Sequence, residues 1–137
     1  MTQENIELLI KDLCARLPYG VKVEYKNEIF DVEHVSPMYE EVKLDTYETW
    51  TVGVSDIKPY LFPLSSMTEE QREELYKIGW YLDEDKIYSC FRNYDDENYK
   101  THTDCFELIN WCYKNNFDIN GFIPLGLAID ATGLDVY

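Results

Sequence analysis

The residues best suited to nucleophilic or metal chemistry in this chain are four cysteines and two histidines: Cys14, Cys90, Cys105, Cys112, His34 and His102. His102 and Cys105 lie one helical turn apart and could face one ion, with Cys112 two turns further on. A closed zinc site needs a fourth ligand, however, and Cys112 falls on an apolar stripe with Leu108 and Ile109. Buried thiols and a histidine at a helix start are therefore the expected state. No pair has the Cys-x-x-Cys spacing of a zinc knuckle or a thioredoxin-type redox pair. Activation by His34 or His102 would make a cysteine nucleophilic, yet no nucleophile signature surrounds any of them. An acidic environment also raises a thiol's pKa.

Carboxylates are the more abundant candidates. Asp83-Glu84-Asp85 and Asp95-Asp96-Glu97-Asn98 could supply a glycosidase-type acid and base, or ligands for calcium or magnesium. Neither run has the alternating oxygen spacing and central glycine of an EF-hand loop, so solvated turns are the expected reading. Glycines do not cluster into a phosphate-cradling loop. No cofactor is expected.

The charge taken whole is the remaining signal: 27 Asp and Glu against 12 Lys and Arg give a formal net charge of −15. Such a field repels nucleic acid and anionic lipid, and draws in basic proteins, cationic ligands or metal ions. Direct nucleic-acid or membrane binding is not expected. The candidate interaction surface comprises Glu40, Glu41, Asp45 and Glu48, then Glu69, Glu70, Glu73 and Glu74, then Asp83, Glu84 and Asp85, and finally Asp95, Asp96 and Glu97. Rows of carboxylates spaced like phosphates can imitate a nucleic-acid backbone in a basic groove. Solubility alone is the plainer account of the same acidity.

These residues need elements to hold them. Ile6, Leu9, Ile10 and Leu13 recur at helical spacing within residues 3–16, with Glu4, Glu7, Lys11 and Asp12 on the other face. Thr2 caps that helix, and Pro18 with Gly20 ends it. Residues 21–54 alternate as an antiparallel meander, with Lys26-Asn27 as a tight turn and Ser36-Pro37 ending the second strand. Pro59 and Pro63 bracket an extended crossover over 55–66 rather than a regular element. Thr68 and Gln71 form a capping box for a second helix, whose first-turn acids suit its dipole. An acidic turn at 83–85 leads to a short strand over 87–91. A third helix runs from about 104 to 115 with Cys105, Leu108, Ile109 and Cys112 on one stripe. Asn115-Asn116 closes it, Asn120-Gly121 turns, and the tail from Phe122 to Ile129 packs back on the core.

The expected architecture is one α+β domain spanning residues 1–137: a small, strongly bent antiparallel sheet packed by about three helices. A barrel-like N-terminal half is one form this could take. At 45% hydrophobic and 15% aromatic residues, with 12 tyrosines, the chain has the means to build a core. Met1 to Asn5 is polar, without the basic start of a signal peptide, and apolar stretches are too short to cross a bilayer, so a cytoplasmic location is the default expectation.

Three segments, Leu13–Val21 (LCARLPYGV), Ile57–Gln71 (IKPYLFPLSSMTEEQ) and Gly121–Thr132 (GFIPLGLAIDAT), resemble a group of small hypothetical proteins of gut Bacteroidales genomes and their prophages. In that group a basic residue often precedes the glycine matching Gly121, where this chain has Asn120. The resemblance brings no activity and no functional residue. It implies a gene carried by mobile elements, where small acidic proteins meet host enzymes. The first expectation is therefore a non-catalytic interaction protein with a basic partner, in the extreme a nucleic-acid mimic. A self-associating accessory domain comes second, and a carboxylate- or metal-dependent enzyme third.

Overall fold

A computed structural model describes residues 1–45, 51–90 and 102–137, with only the backbone considered for 102–104. Helix α1 spans Gln3–Arg16, and the Thr2 hydroxyl accepts from Asn5 N at 3.1 Å to cap it. Strands β1 (Lys22–Tyr25) and β2 (Glu28–Ser36) form a hairpin whose turn residues Lys26 and Asn27 both have positive φ, at 49° and 66°. That backbone twist matches the right-handed twist of the flanking strands. Strands β3 (Glu41–Leu44) and β4 (Thr51–Gly53) continue the antiparallel meander.

A strict two-residue period would put Val32 and Val35 on opposite faces of β2, yet both are buried. The register shifts between Val32 and His34, so an extra residue is accommodated at Glu33 and both valines return to the core side. Such a bulge also bends the strand.

The stretch expected to be irregular holds a strand. β5 (Lys58–Leu61) pairs antiparallel with β1, between two short 3-10 turns at Val54–Asp56 and Leu64–Ser66. Pro59 is accommodated because the neighbour on its other side, β8 (Ile129–Asp130), pairs only with Tyr60 and Leu61. β8 is parallel to β5, and all of residues 62–128 lie between them.

The sheet therefore has six strands in the order β4-β3-β2-β1-β5-β8, mixed rather than wholly antiparallel. It is an open sheet and not a barrel: β5 and β8 extend it beyond β1, leaving β4 and β8 as opposite edges. The α+β class expected from the sequence is what the chain adopts, with three α-helices among the described residues.

Helix α2 (Glu69–Lys77) starts with both halves of the capping box, Gln71 N to Thr68 Oγ1 at 3.2 Å and Thr68 N to Gln71 Oε1 at 2.9 Å. It ends at Gly79, whose φ of 96° lets the chain reverse. β6 (Trp80–Asp83) and β7 (Lys86–Ser89) form a separate hairpin packed on α2, with Tyr81 stacked across the ladder on Tyr88 at 5.6 Å. Helix α3 spans His102–Lys114. Its inward stripe is Leu108, Trp111 and Cys112; Cys105 is exposed and Ile109 largely so. This rotation from the expected stripe lets the Trp111 ring stack on buried Phe117 at 5.6 Å.

Two apolar clusters follow. α1 lays Leu9, Ile10 and Leu13 on the sheet valines together with Phe122, Leu127 and Ala128 from the tail. α2, α3 and the β6–β7 hairpin enclose Met67, Leu75, Leu82, Cys112 and Phe117. Burying each large side chain of this kind contributes about 1.5–3 kcal/mol. The segments 62 and 116–118 join the clusters, through Phe62 N to Asn116 O and Asp118 N to Phe62 O, both 2.8 Å. Among the described residues no helix is long and apolar enough to cross a membrane.

Candidate functional site

The acids divide by what lies beside them. On the outer face of the sheet they meet lysines. Lys22 Nζ is 2.9 Å from Asp31, directly across the β1–β2 ladder, and Lys43 Nζ is 2.9 Å from Glu33 at the bulge. Lys58 stands opposite Glu24 in the β1–β5 register. Of the sequence candidates here, Glu41 at the start of β3 and Asp45 just past its end flank Lys43 at two-residue spacing, and Glu40 sits in the β2–β3 turn. Glu40 accepts a hydrogen bond from the Gln3 side chain.

The second group is different. Glu69, Glu70, Glu73 and Glu74 on α2 and Asp83, Glu84 and Asp85 at the β6–β7 turn are all exposed. They outnumber Arg72, Lys77 and Lys86, and none of them joins an ion pair among the described residues. Glu74 is pinned by a hydrogen bond, accepting from Trp111 Nε1 at 3.1 Å. β6 reverses from the end of α2 and packs back along it. The 83–85 turn thus returns to the start of that helix, where Asp85 shares a cleft of about 340 Å³ with Pro63, Leu64 and Ser65. The acids of α2 and of the hairpin tip, carried on two elements that pack together, are grouped as one acidic ridge. Asp118 also lines the cleft, but its oxygens already accept from Phe122 N at 2.9 Å and Ile123 N at 2.8 Å. Glu48, Asp95, Asp96 and Glu97 lie outside the described residues.

One polar constellation was not anticipated. Asp12, expected on the solvent face of α1, is 1% exposed, and Arg16 is fully buried. Arg16 Nε and Nη2 clasp the Asp12 carboxylate, the latter at 3.1 Å, and Nη2 also donates to Phe117 O at 2.7 Å. Asn120 Nδ2 donates to Asp12 Oδ2 at 2.7 Å, and the guanidinium lies 4.9 Å from the centre of the Tyr113 ring. Burial first, and the Asp12 charge second, push the Tyr113 hydroxyl up from its ordinary range. The cluster ties α1 to the end of α3 and the following loop. With both charged side chains fully enclosed, it is a brace and not an open site. A signal existed: Leu9, Asp12, Leu13 and Arg16 follow i, i+3, i+4, i+7, which puts the pair on the buried stripe.

The thiols are placed against chemistry. Burial raises the Cys14 pKa, and it pushes Cys112 up to about 11 despite the opposing Arg16 charge. Neither is a thiolate at neutral pH. Cys105 is exposed while Cys112 is buried, and the His102 side chain lies outside the described residues. Among the described residues no three His, Cys, Asp or Glu side chains converge as a metal site.

The Cys112 shift has a consequence for stability. Its thiol loses a proton near pH 9 when unfolded and near 11 when folded, so the native state holds more proton in between. This contribution is complete below pH 9 and is lost as pH rises to 11, by roughly 2–3 kcal/mol at about 1.4 kcal/mol per unit. The Tyr137 hydroxyl accepts from Lys22 N and donates to Tyr60 O, and it is pushed up to about 12 by burial, adding loss in the same direction at still higher pH. Urea unfolding from pH 8 to 11 should therefore show falling stability, with a shallower fall in Cys112→Ala. An equal slope in the two proteins would contradict the assignment.

No protein-family model matches this chain, and no curated protein or solved structure matches it either.

Proposed function

We propose that this chain is a non-catalytic interaction protein whose α2–hairpin ridge engages a basic protein, occupying a surface that otherwise holds nucleic-acid phosphates. The observation that carries this reading is the contrast in compensation. On the sheet Asp31 and Glu33 are ion-paired with Lys22 and Lys43, whereas the acids of α2 and the hairpin tip stand exposed and join no ion pair among the described residues, with Asp83 opposite Lys86 in the β6–β7 register. Solubility needs net charge but no such segregation. Unpaired carboxylates on a rigid helix and tight turn keep their field for a partner. A cytoplasmic setting, and the carriage by mobile elements that the sequence resemblance implies, belong with this reading.

Competition tests it. Duplex DNA is bound to a small basic protein of the histone type, and the intact chain is added at about 50 mM salt. The chain should displace DNA, and displacement should weaken steeply by about 200 mM salt as screening shortens the reach of the charges. Failure to compete at the lower salt, or competition indifferent to salt, overturns the proposal.

A further inference from the structure

A groove of about 450 Å³ runs between α1 and the β2–β3 turn, lined by Glu7, Ile10, Lys11, Cys14, Pro37 and Glu40. The four α1 residues follow i, i+3, i+4 and i+7, so the groove tracks that helix for two turns. Beside it stand the most exposed large apolar side chains described, Met38 at 83% and Tyr39 at 71%. They are not on a loose loop. Val54 N donates to Glu40 O at 2.9 Å, the Gln3 side chain holds the Glu40 carboxylate, and Glu40 takes a φ of 54° to close the turn. A non-glycine residue in that conformation is held there by its surroundings. Two exposed apolar side chains thus lie on a constrained turn, between Pro37 and Glu40, which line the groove with Ile10 and Cys14.

The charge around the groove says what fits. Glu7 and Glu40 line the groove with Lys11 as the one cation among its lining residues. A second copy of the chain, itself at −15, would bring like charge to this rim. We infer that the groove docks an amphipathic basic helix of a partner protein, its apolar face against Ile10, Met38 and Tyr39 and its cations against the glutamates. Packing along two turns of α1 suits a helix, whose side chains also repeat at i, i+3 and i+4. This rests on the acidic-interaction reading and gives it a second contact, one that supplies apolar anchoring where the ridge supplies field.

The test maps binding on the full chain. The ¹⁵N-labelled protein is titrated with a helical Leu/Lys peptide and, separately, with a Leu/Glu peptide of the same pattern. The Lys peptide should give saturable shifts at Glu7, Lys11, Cys14 and Tyr39, and the Glu peptide none. The double variant Met38→Ser/Tyr39→Ser should weaken the Lys peptide about tenfold, in the range of an interface anchor. Both side chains face solvent, so thermal unfolding should be unchanged and separates binding from folding. Shifts confined to residues 69–85 overturn the groove while sparing the acidic reading. No binding of the Lys peptide anywhere overturns both. Equal binding of the Glu peptide removes the charge argument, and groove shifts that grow with protein concentration alone make a second copy the occupant.

Discussion

Arg16→Met should cost about 3–5 kcal/mol of stability, a large share of the roughly 5–15 kcal/mol that holds a domain folded. The reason is what it leaves behind rather than what it removes. Asp12, 1% exposed, would keep only the Asn120 amide as a partner. An uncompensated buried carboxylate must be protonated or must drag water in, and either weakens the junction of α1 with Phe117 and Asn120. Replacing both members, Asp12→Leu with Arg16→Met, should recover most of the loss, because a buried pair of similar volume is often no better than apolar packing. A double-mutant cycle in urea, followed by tryptophan fluorescence, isolates the coupling. If Arg16→Met alone stays within about 1 kcal/mol of the parent, water reaches the site and the brace is not a buried pair. The double variant should still compete with DNA for a basic protein, since neither side chain reaches the surface. Loss of competition in a stable double variant would make the pair part of the binding surface.

How far the sequence revealed this fold depends on where each cause sits. The Thr2 cap, the Lys26-Asn27 turn, the Thr68/Gln71 capping box and the left-handed Asn116 are set by residues a few positions apart, and all could be read directly. β5 could not. Its strand character comes from Val23 and Glu24 on one side and Ile129 on the other, while Pro59 argued locally against it. β8 is two residues long and exists only through that same pairing. The burial of Asp12 and Arg16 was hidden for a similar reason: Phe117 and Asn120, which satisfy them, lie 101 and 108 residues away. A charged pair with unknown partners reads as a solvated one.

The acidic surface shows the same limit. Composition gave its total, but only strand register reveals that Asp31 faces Lys22, and only the bulge brings Glu33 to Lys43. Neutralised and bare carboxylates look alike in a linear sequence. The β6 reversal at Gly79 packs the hairpin on α2 and brings Asp85 to the 63–65 segment that leads into that helix.

That segregation sets up the second large effect. Neutralising the ridge with Glu69→Gln, Glu70→Gln, Glu73→Gln and Glu74→Gln should reduce affinity for a histone-type protein by about ten- to a hundredfold at low salt. Single exposed pairs are worth roughly 0.2–1 kcal/mol each, and four facing one partner sum to that range. The control removes two charges from the sheet, with Asp31→Asn and Glu33→Gln, and is compared with the four of the ridge per charge removed. There the loss should be within about threefold, because each carboxylate already has a lysine at 2.9 Å and offers little residual field. The salt slope supplies the decisive reading: it should flatten in the ridge variant and stay close to parental in the control. Glutamine keeps the helix propensity of α2 and leaves the Thr68 cap in place, although it forfeits some favourable charge at the helix start. A variant with parental unfolding but flattened salt dependence therefore reports on binding alone. Equal losses per charge removed in ridge and control would mean that the partner responds to net charge, and the ridge would then hold no special place in recognition.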